Sequence, residues 1–498
     1  MKFISDVKLL LKITQEYVNA QFTLAFSAIF SALFLIYSFN FSEGMWRPYV
    51  VALFAIYAMT TLYVFLTSQL IKKDLANKRE ISNRTRLLGY PLLLTIFFGN
   101  VFASAFGFML VTKNKTVEYT FAFYAFLTQI FIVMISGVNI FKPYVVDTFL
   151  LAMGVFIALA IVYLVVAILI ARNVTLNFAP KWMQILGFLL LIPVLTGNFF
   201  SLLLGITLIR KARNTDPSAI EKWQKIWHKI LRNAMALFGL FFIVFMFSLS
   251  VVSSWTFDYA FAVQNNYSAL LQTPTLEYPL GTDDFGRDLF SRIVFGAQIS
   301  LIVGFSATII PALVGGALGA ISGYYGKNTD NIIMRSLDVL YAIPGILLAI
   351  AIIAAFGANT MNLILALSVG AIPTYARTMR ANVLQISNYE FVESARALGA
   401  SDRSIIFKHI VPNALAPMIV KATLTIGGAV ISTSSLSFLG LGIEPHIPEW
   451  GNILKVGSTY LESHSYLAIF PGLCIMLLVL SCNFFGDGLR DALDPKAN

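Results

Sequence analysis

Apolar runs near twenty residues long, separated by short basic loops, recur along the whole chain. A segment that leaves water must satisfy its own backbone N–H and C=O groups, so a spanning helix needs roughly 20 mostly apolar residues. Twelve runs meet that measure: 21–38, 48–70, 91–112, 119–140, 148–171, 184–209, 233–254, 297–322, 336–356, 361–376, 414–440 and 467–486. The eleventh carries Lys421 near its start, where a long side chain can snorkel to the interface. Only 12% of the 498 residues are charged and 58% are hydrophobic, against about 25% charged in a soluble domain. A water-soluble enzyme and an intrinsically disordered chain are both excluded. The expected fold class is an all-α membrane protein with about 12 transmembrane helices.

Twelve spans put both termini on one side. Taking that side as cytoplasmic, the inner loops hold 26 Lys and Arg, Lys142 among them, and the outer side holds 8: Arg47, Lys113, Lys115, Arg172, Lys181, Arg287, Arg292 and Lys455. Such a bias fixes the orientation. It also accounts for the net charge of +10 without a nucleic-acid partner. The N-terminus lacks the form of a signal peptide, since Lys8 and Lys12 break its apolar run. Cys474 and Cys482 are eight helical residues apart, roughly 12 Å and too far for a disulfide.

The clearest internal boundary is the polar, basic stretch Arg210–Ser218. Residues 1–210 are therefore expected to form a membrane region of about six spans, 211–232 a linker with an amphipathic helix, and 233–498 a second membrane unit. In that amphipathic helix Ile220, Trp223, Ile226, Trp227, Ile230 and Leu231 share one face and Lys222, Lys225, Lys229 and Arg232 the other, as in a helix lying along the inner leaflet. No repeat relates the two halves.

The chain carries no phosphate-binding loop. Its one Gly-Lys step, Gly326-Lys327, has Ile321 where the first glycine belongs and Asn328 where Ser or Thr belongs. No Asp or Glu lies deep in a predicted span; Asp147 and Asp338 sit at span ends. The four histidines are scattered, so no metal site is expected. A carrier driven by an ion gradient usually buries such groups, which leaves it the weaker alternative.

The loop 388–413, NYEFVESARALGASDRSIIFKHIVPN, holds the most specific signal. Its first part is helix-forming, Gly399 suits a left-handed helix end, and Ser401 or Asp402 suits the cap of a second helix over Arg403–Ile410, expected to finish before Pro412. The outcome is helix–turn–helix, projecting between two spans. Ser394, Ala395 and Ala397 are small enough for close approach, and Glu393 and Arg396 offer charges.

Glu393-Ser394-Ala395, Gly399 and Ile410-Val411-Pro412 resemble the EAA motif of ABC importer permeases, with Ser394 and Val411 as mild departures. The string 278–301, Ser437–Gly442 followed by Pro448, Trp450, Gly451 and Asn452, and the tail Gly486–Pro495 resemble the C-type permeases of dipeptide and oligopeptide importers. The resemblance covers about 220–498. It implies a six-helix type I importer permease fold for the C-terminal half and a non-catalytic pore subunit in a bacterial cytoplasmic membrane. It implies as partners a second permease subunit, two cytoplasmic ATPases and an external peptide-binding protein, with ATP and Mg on the ATPases and no cofactor on this chain. A similar permease for nickel or another small solute is the alternative. Coupling to the ATPases falls to Glu393, Ser394, Ala395, Arg396, Ala397, Leu398, Gly399, Ala400, Ser401, Asp402, Arg403 and Ser404. The outer-loop signature is Gly281, Thr282, Asp283, Asp284, Gly286, Arg287 and Asp288; it either shapes an outer gate or docks the binding protein, or else forms a capped turn into an interfacial helix, with Asp283 or Asp284 as the cap and Arg287 paired to Asp288.

Overall fold

The computed structural model describes residues 10–11, 14–40, 44–112, 116–176, 178–213 and 217–494. The basic residues Lys2, Lys8, Lys12, Lys113, Lys115 and Lys496, and Asn214–Asp216 of the expected boundary, lie outside them. As the apolar patterning requires, nearly everything described is helix. The described residues include eight helices long and apolar enough to cross a membrane, or nine if one bent pair is counted as a span. Twelve were expected, and the difference has three sources.

The first source is in the N-terminal half. Helices α1 (Gln15–Ser38) and α2 (Pro48–Lys78) are full-length and antiparallel. The expected third span is instead a hairpin. One leg starts with α3 (Gly89–Leu93) and continues to Phe98 as a tighter coil; the chain turns at Gly99, and α4 (Val101–Val111) returns. A Cβ on Gly107 would lie 2.6 Å from the Gly89 carbonyl oxygen, which is how closely the two legs pack. The pattern then recurs. Helices α5 (Val117–Gly137) and α6 (Phe149–Asn173) pack together, and the expected sixth span is a second hairpin of α7 (Met183–Leu189), a turn at Gly197, and α8 (Phe199–Arg213).

The two units are related by a shift of 98 residues. Over 88–110 against 186–208, nine of 23 positions are identical: Leu88, Gly89, Leu92, Leu93, Gly99, Asn100, Phe102, Gly107 and Leu110 recur as Leu186, Gly187, Leu190, Leu191, Gly197, Asn198, Phe200, Gly205 and Leu208. Contacts repeat at the same shift. Asn100 donates to Ser27 Oγ at 3.1 Å and Asn198 to the Ala125 carbonyl at 3.0 Å. The Phe26–Phe102 ring pair becomes Tyr124–Phe200. Each hairpin tip reaches about halfway along its neighbouring helix, and Asn100 and Asn198 are buried there. Irregular backbone at that depth requires burial in protein and side-chain hydrogen bonds of this kind. Because the legs touch through glycines, Gly107→Leu is expected to force them apart at a cost of about 1–3 kcal/mol. The check is a lower melting temperature of the purified chain than for Gly428→Leu, where a Cβ meets open space.

A hairpin enters and leaves at one end, so α5 and α6 run opposite to the direction the twelve-span expectation gave them. Two ion pairs fix the correction. Lys142, expected at the inner side, lies 2.7 Å from Asp288 of the outer loop, and Lys211 lies 3.0 Å from Glu118 at the other end. Arg172 and Lys181, at the other end of α6 from Lys142, accordingly fall at the Lys211 end.

The C-terminal half begins with α9 (Pro217–Arg232), the amphipathic helix. The C-terminal half of its apolar face packs on protein, while Ile220, Trp223 and Ile226 are half-buried. Trp227, Ile230 and Leu231 are buried, and the Trp227 ring meets Phe121 edge-on at 5.0 Å. One hydrophobic cluster runs from Ile96 and Phe121 through Trp227 to Phe241 and Ala492, joining both halves. Next come α10 (Ala234–Thr256) and the long α11 (Leu289–Tyr325). The second source of the lower count follows. The expected ninth span is broken into α12 (Lys327–Tyr341) and α13 (Gly345–Phe356), bent by 80° where Pro344 removes a backbone donor. The third source is the expected short tenth span: it is the 27-residue α14 (Thr360–Ile386), long enough to cross but, with Arg377 and Arg380 in its second half, not apolar enough to count among the eight. It packs along α11 through Gly315, Gly319 and Gly323, whose Cβ positions would clash with the Ile372, Ala376 and Arg380 carbonyls. Helices α15 (Glu390–Ala397), α16 (Val411–Phe438), α17 (Trp450–Thr459) and α18 (Tyr466–Leu493) complete the chain. Lys421 does not snorkel; its ammonium donates to the Thr374 carbonyl and Thr378 Oγ1 of α14.

Candidate functional site

The inner loop folds as a knob built from its own turn chemistry. Helix α15 ends in a Schellman turn: Ala400 N–H donates to the Ala395 carbonyl, Gly399 N–H to the Arg396 carbonyl, and Gly399 sits at φ +80°. Ser401 then accepts from Ser404 N–H and caps the next helical turn, Asp402–Ser404. That turn does not stop before Pro412 as expected. It widens over Ile405–Ile410, where Val411 N–H reaches back five residues to the Ile406 carbonyl, and passes directly into α16. The wide turn shifts the bonding register, so the donor missing at Pro412 breaks nothing.

The knob has an inward and an outward face. Val392, Ala395, Ile405, Ile406 and Ile410 are buried with Tyr375, Met379 and Val383 of α14. Ala395, expected to face a partner, thus packs against its own chain. Glu393, Ser394, Arg396, Ala397, Leu398 and Gly399 are exposed, and Leu398 stands 88% exposed at the tip. An apolar side chain held so far into solvent by a well-formed turn suits a docking contact. The knob is also tied to the spans: Tyr324 at the end of α11 donates to Asp402 at 2.7 Å, and Arg396 approaches the same hydroxyl at 3.5 Å. Beside it Arg380 of α14 holds Asp330 of α12 through two hydrogen bonds of 2.5 Å. The knob is therefore joined to α11, α14 and α16 together.

At the opposite end the outer-loop signature is a buried network. Thr282, Asp283, Arg287 and Asp288 are nearly inaccessible. Asp283 accepts from the N–H groups of Phe285 and Arg287 and from Arg287 Nε at 2.7 Å, and Arg292 approaches it at 3.5 Å. The helix cap is Asp288, which accepts from Ser291 N–H at 2.9 Å. Both expected assignments here are thus corrected: neither Asp283 nor Asp284 is the cap, and Arg287 pairs with Asp283. A Cβ on Gly281 would strike the Tyr466 ring and one on Gly286 the Asn266 carbonyl, so these turns admit only glycine. Burial and the neighbouring Asp283 push the Asp284 carboxyl above its usual range. Sequence reasoning missed two residues of this end. Lys142 lies far away in the chain and gave no signal. Glu449 stood inside a recognised string; it is fully buried, caps α17 through Gly451 and Asn452, and accepts from Ser300 and Ser434.

The knob lies within a recognisable sequence family, and the outer-loop signature falls between two family matches. Residues 315–498 match the binding-protein-dependent transport system inner membrane component, and residues 222–274 match the N-terminal transmembrane domain of oligopeptide transport permease C. The chain is 42% identical over 279 residues to the dipeptide transport system permease protein of Alkalihalophilus pseudofirmus, covering 56% of this chain and 91% of that one. It is 40% identical over 281 residues to the glutathione transport system permease protein of Pectobacterium atrosepticum, covering 56% and 93%, and 43% identical over 274 residues to that of Escherichia coli O157:H7, covering 55% and 90%. Neither family match reaches N-terminal to residue 222. With a bundle of long apolar helices, a projecting knob and matches of this extent, the chain belongs to the non-catalytic permease subunits of binding-protein-dependent ABC importers, multi-pass membrane proteins whose ATPase lies in partner subunits.

Proposed function

We propose that this chain is one of two different permease subunits that together enclose the pore of an ATP-driven importer of short peptides. The observation that carries the reading is the knob: a rigid turn with Leu398 presented to solvent and Tyr324, Asp402 and Arg396 linking it to the spans. Residues Glu393–Ser404 dock on a cytoplasmic ATPase, which binds ATP and Mg; both chain termini lie in the cytoplasm. Gly281–Asp288 hold the outer loop, where an external binding protein delivers substrate. Residues 1–210 form an added membrane module, 211–232 its link, and 233–498 the permease unit. Peptide as cargo is supported by the dipeptide and glutathione permeases among the relatives.

Reconstitution tests the reading. The purified chain alone in liposomes is expected to take up neither dialanine nor glutathione. The complex isolated in mild detergent, with its ATPases and with binding protein outside, takes up at least one of them when ATP is enclosed. Uptake by the chain alone, driven by an ion gradient, overturns the proposal.

A further inference from the structure

The N-terminal module touches the permease unit most elaborately at its outer tips. Asn139 donates to the Thr256 carbonyl at 2.9 Å, Thr148 to the Trp255 carbonyl at 2.9 Å, and Tyr144 stacks on Phe261 at 4.6 Å. The first repeat reaches the same loop, where Tyr49 donates to the Pro274 carbonyl at 3.1 Å. Between these contacts Lys142 enters the permease unit. Its ammonium sits 2.7 Å from Asp288, 4.9 Å from the Phe261 ring centroid and 4.7 Å from that of Tyr278, and both charged side chains are 1% exposed or less. Asp288 is the cap of α11. One carboxylate thus serves the start of a long permease helix and a cation from a module that neither family match includes.

We infer that Lys142 is a positioning residue that fastens the outer loop and the start of α11 to the N-terminal module, so that loop and module behave as one body. A charge pair removed from water is costly to break on one side only, because the surviving charge stays buried without its countercharge. Phe261 and Tyr278 offer the ammonium their ring faces but cannot neutralise Asp288. Any displacement of the outer loop must therefore carry residues 138–148 along or expose the pair. The module is then a brace for the surface on which substrate arrives, which rests on the pore reading above. Its fastening does not.

Hydrogen exchange on the full chain in its isolated complex tests the inference. In Lys142→Met, amides of residues 266–288 are expected to exchange about tenfold faster or more, while those of 390–404 keep wild-type rates. Lys142→Arg keeps the protection, and Lys142→Met combined with Asp288→Asn regains it by leaving no lone charge. Wild-type exchange in Lys142→Met overturns the inference. So does a double variant no better protected than the single one, which also decides the matter if the single variant is too unstable to purify. Uptake of dialanine or glutathione, whichever the wild type carries, supplies the functional arm: a raised KM with kcat retained in Lys142→Met, and recovery in the double variant. If wild type takes up neither dialanine nor glutathione, the peptide reading fails and the exchange result still stands.

Discussion

Gly399→Pro is expected to abolish uptake and ATP-driven coupling while leaving the complex assembled. The substitution conflicts with the knob in three ways. Gly399 sits at φ +80°, and proline is fixed near −65°. Its N–H, which donates to the Arg396 carbonyl, disappears. Leu398 before it holds φ −79° and ψ 6°, a conformation that a following proline disfavours. The combined cost is about 3 kcal/mol or more, about a hundredfold in the population of the formed turn. The spans α14 and α16 hold the knob's two ends through separate contacts, so the loss stays local. Gly399→Ala separates conformation from bulk: a Cβ there meets open space, and the left-handed backbone costs about 1 kcal/mol, so a partial loss is expected. The measurements are substrate-stimulated ATPase activity and uptake in the reconstituted complex, with co-purification of the ATPases as the control. Full coupling in Gly399→Pro would show that the knob's turn is irrelevant to transmission.

The knob was legible because its determinants are local. A helix end, a left-handed glycine and a serine cap follow one another within a dozen residues, and each acts on its immediate neighbours. The run through Pro412 was not, since a wide turn has no residue signature, nor was the burial of Ala395 against α14. The outer loop was legible as a string and illegible as a network. Nothing in Asp283, Arg287 and Asp288 says which acid caps α11, because that depends on the path the chain takes through Gly281 and Gly286. The N-terminal hairpins were missed for a different reason. A hydropathy window cannot tell one crossing of twenty residues from two legs of ten, and Gly99-Asn100 and Gly197-Asn198 at the midpoints were the only sign that each run turns back. Self-comparison of 1–210 at a shift of 98 would have revealed them. The spans themselves conceal the repeat, since lipid-facing helices accept almost any apolar residue and drift freely.

Glu449→Ala is the second large effect, and it is expected to lower stability rather than coupling. Glu449 joins three elements: Ser300 of α11, Ser434 of α16, and the Gly451 and Asn452 N–H groups that open α17 all point at its two oxygens. Truncation leaves these buried donors without a partner and removes the cap, for about 3 kcal/mol or more. Glu449→Gln keeps an acceptor for the backbone N–H groups and an amide against the hydroxyls, and is expected to stay within about 1 kcal/mol of wild type. Burial holds the Glu449 carboxyl above the ordinary carboxylate range despite the N–H groups that favour its ionised form. The folded protein therefore keeps this proton more tightly than the unfolded chain. Its contribution to stability is full below the ordinary carboxylate pKa and is lost as pH rises through the raised one. Thermal melts of the detergent-solubilised chain across that interval are expected to fall with pH in wild type and to fall less in Glu449→Gln, which carries no titrating group there. Identical slopes in the two proteins would mean that the Glu449 proton contributes nothing to the fold.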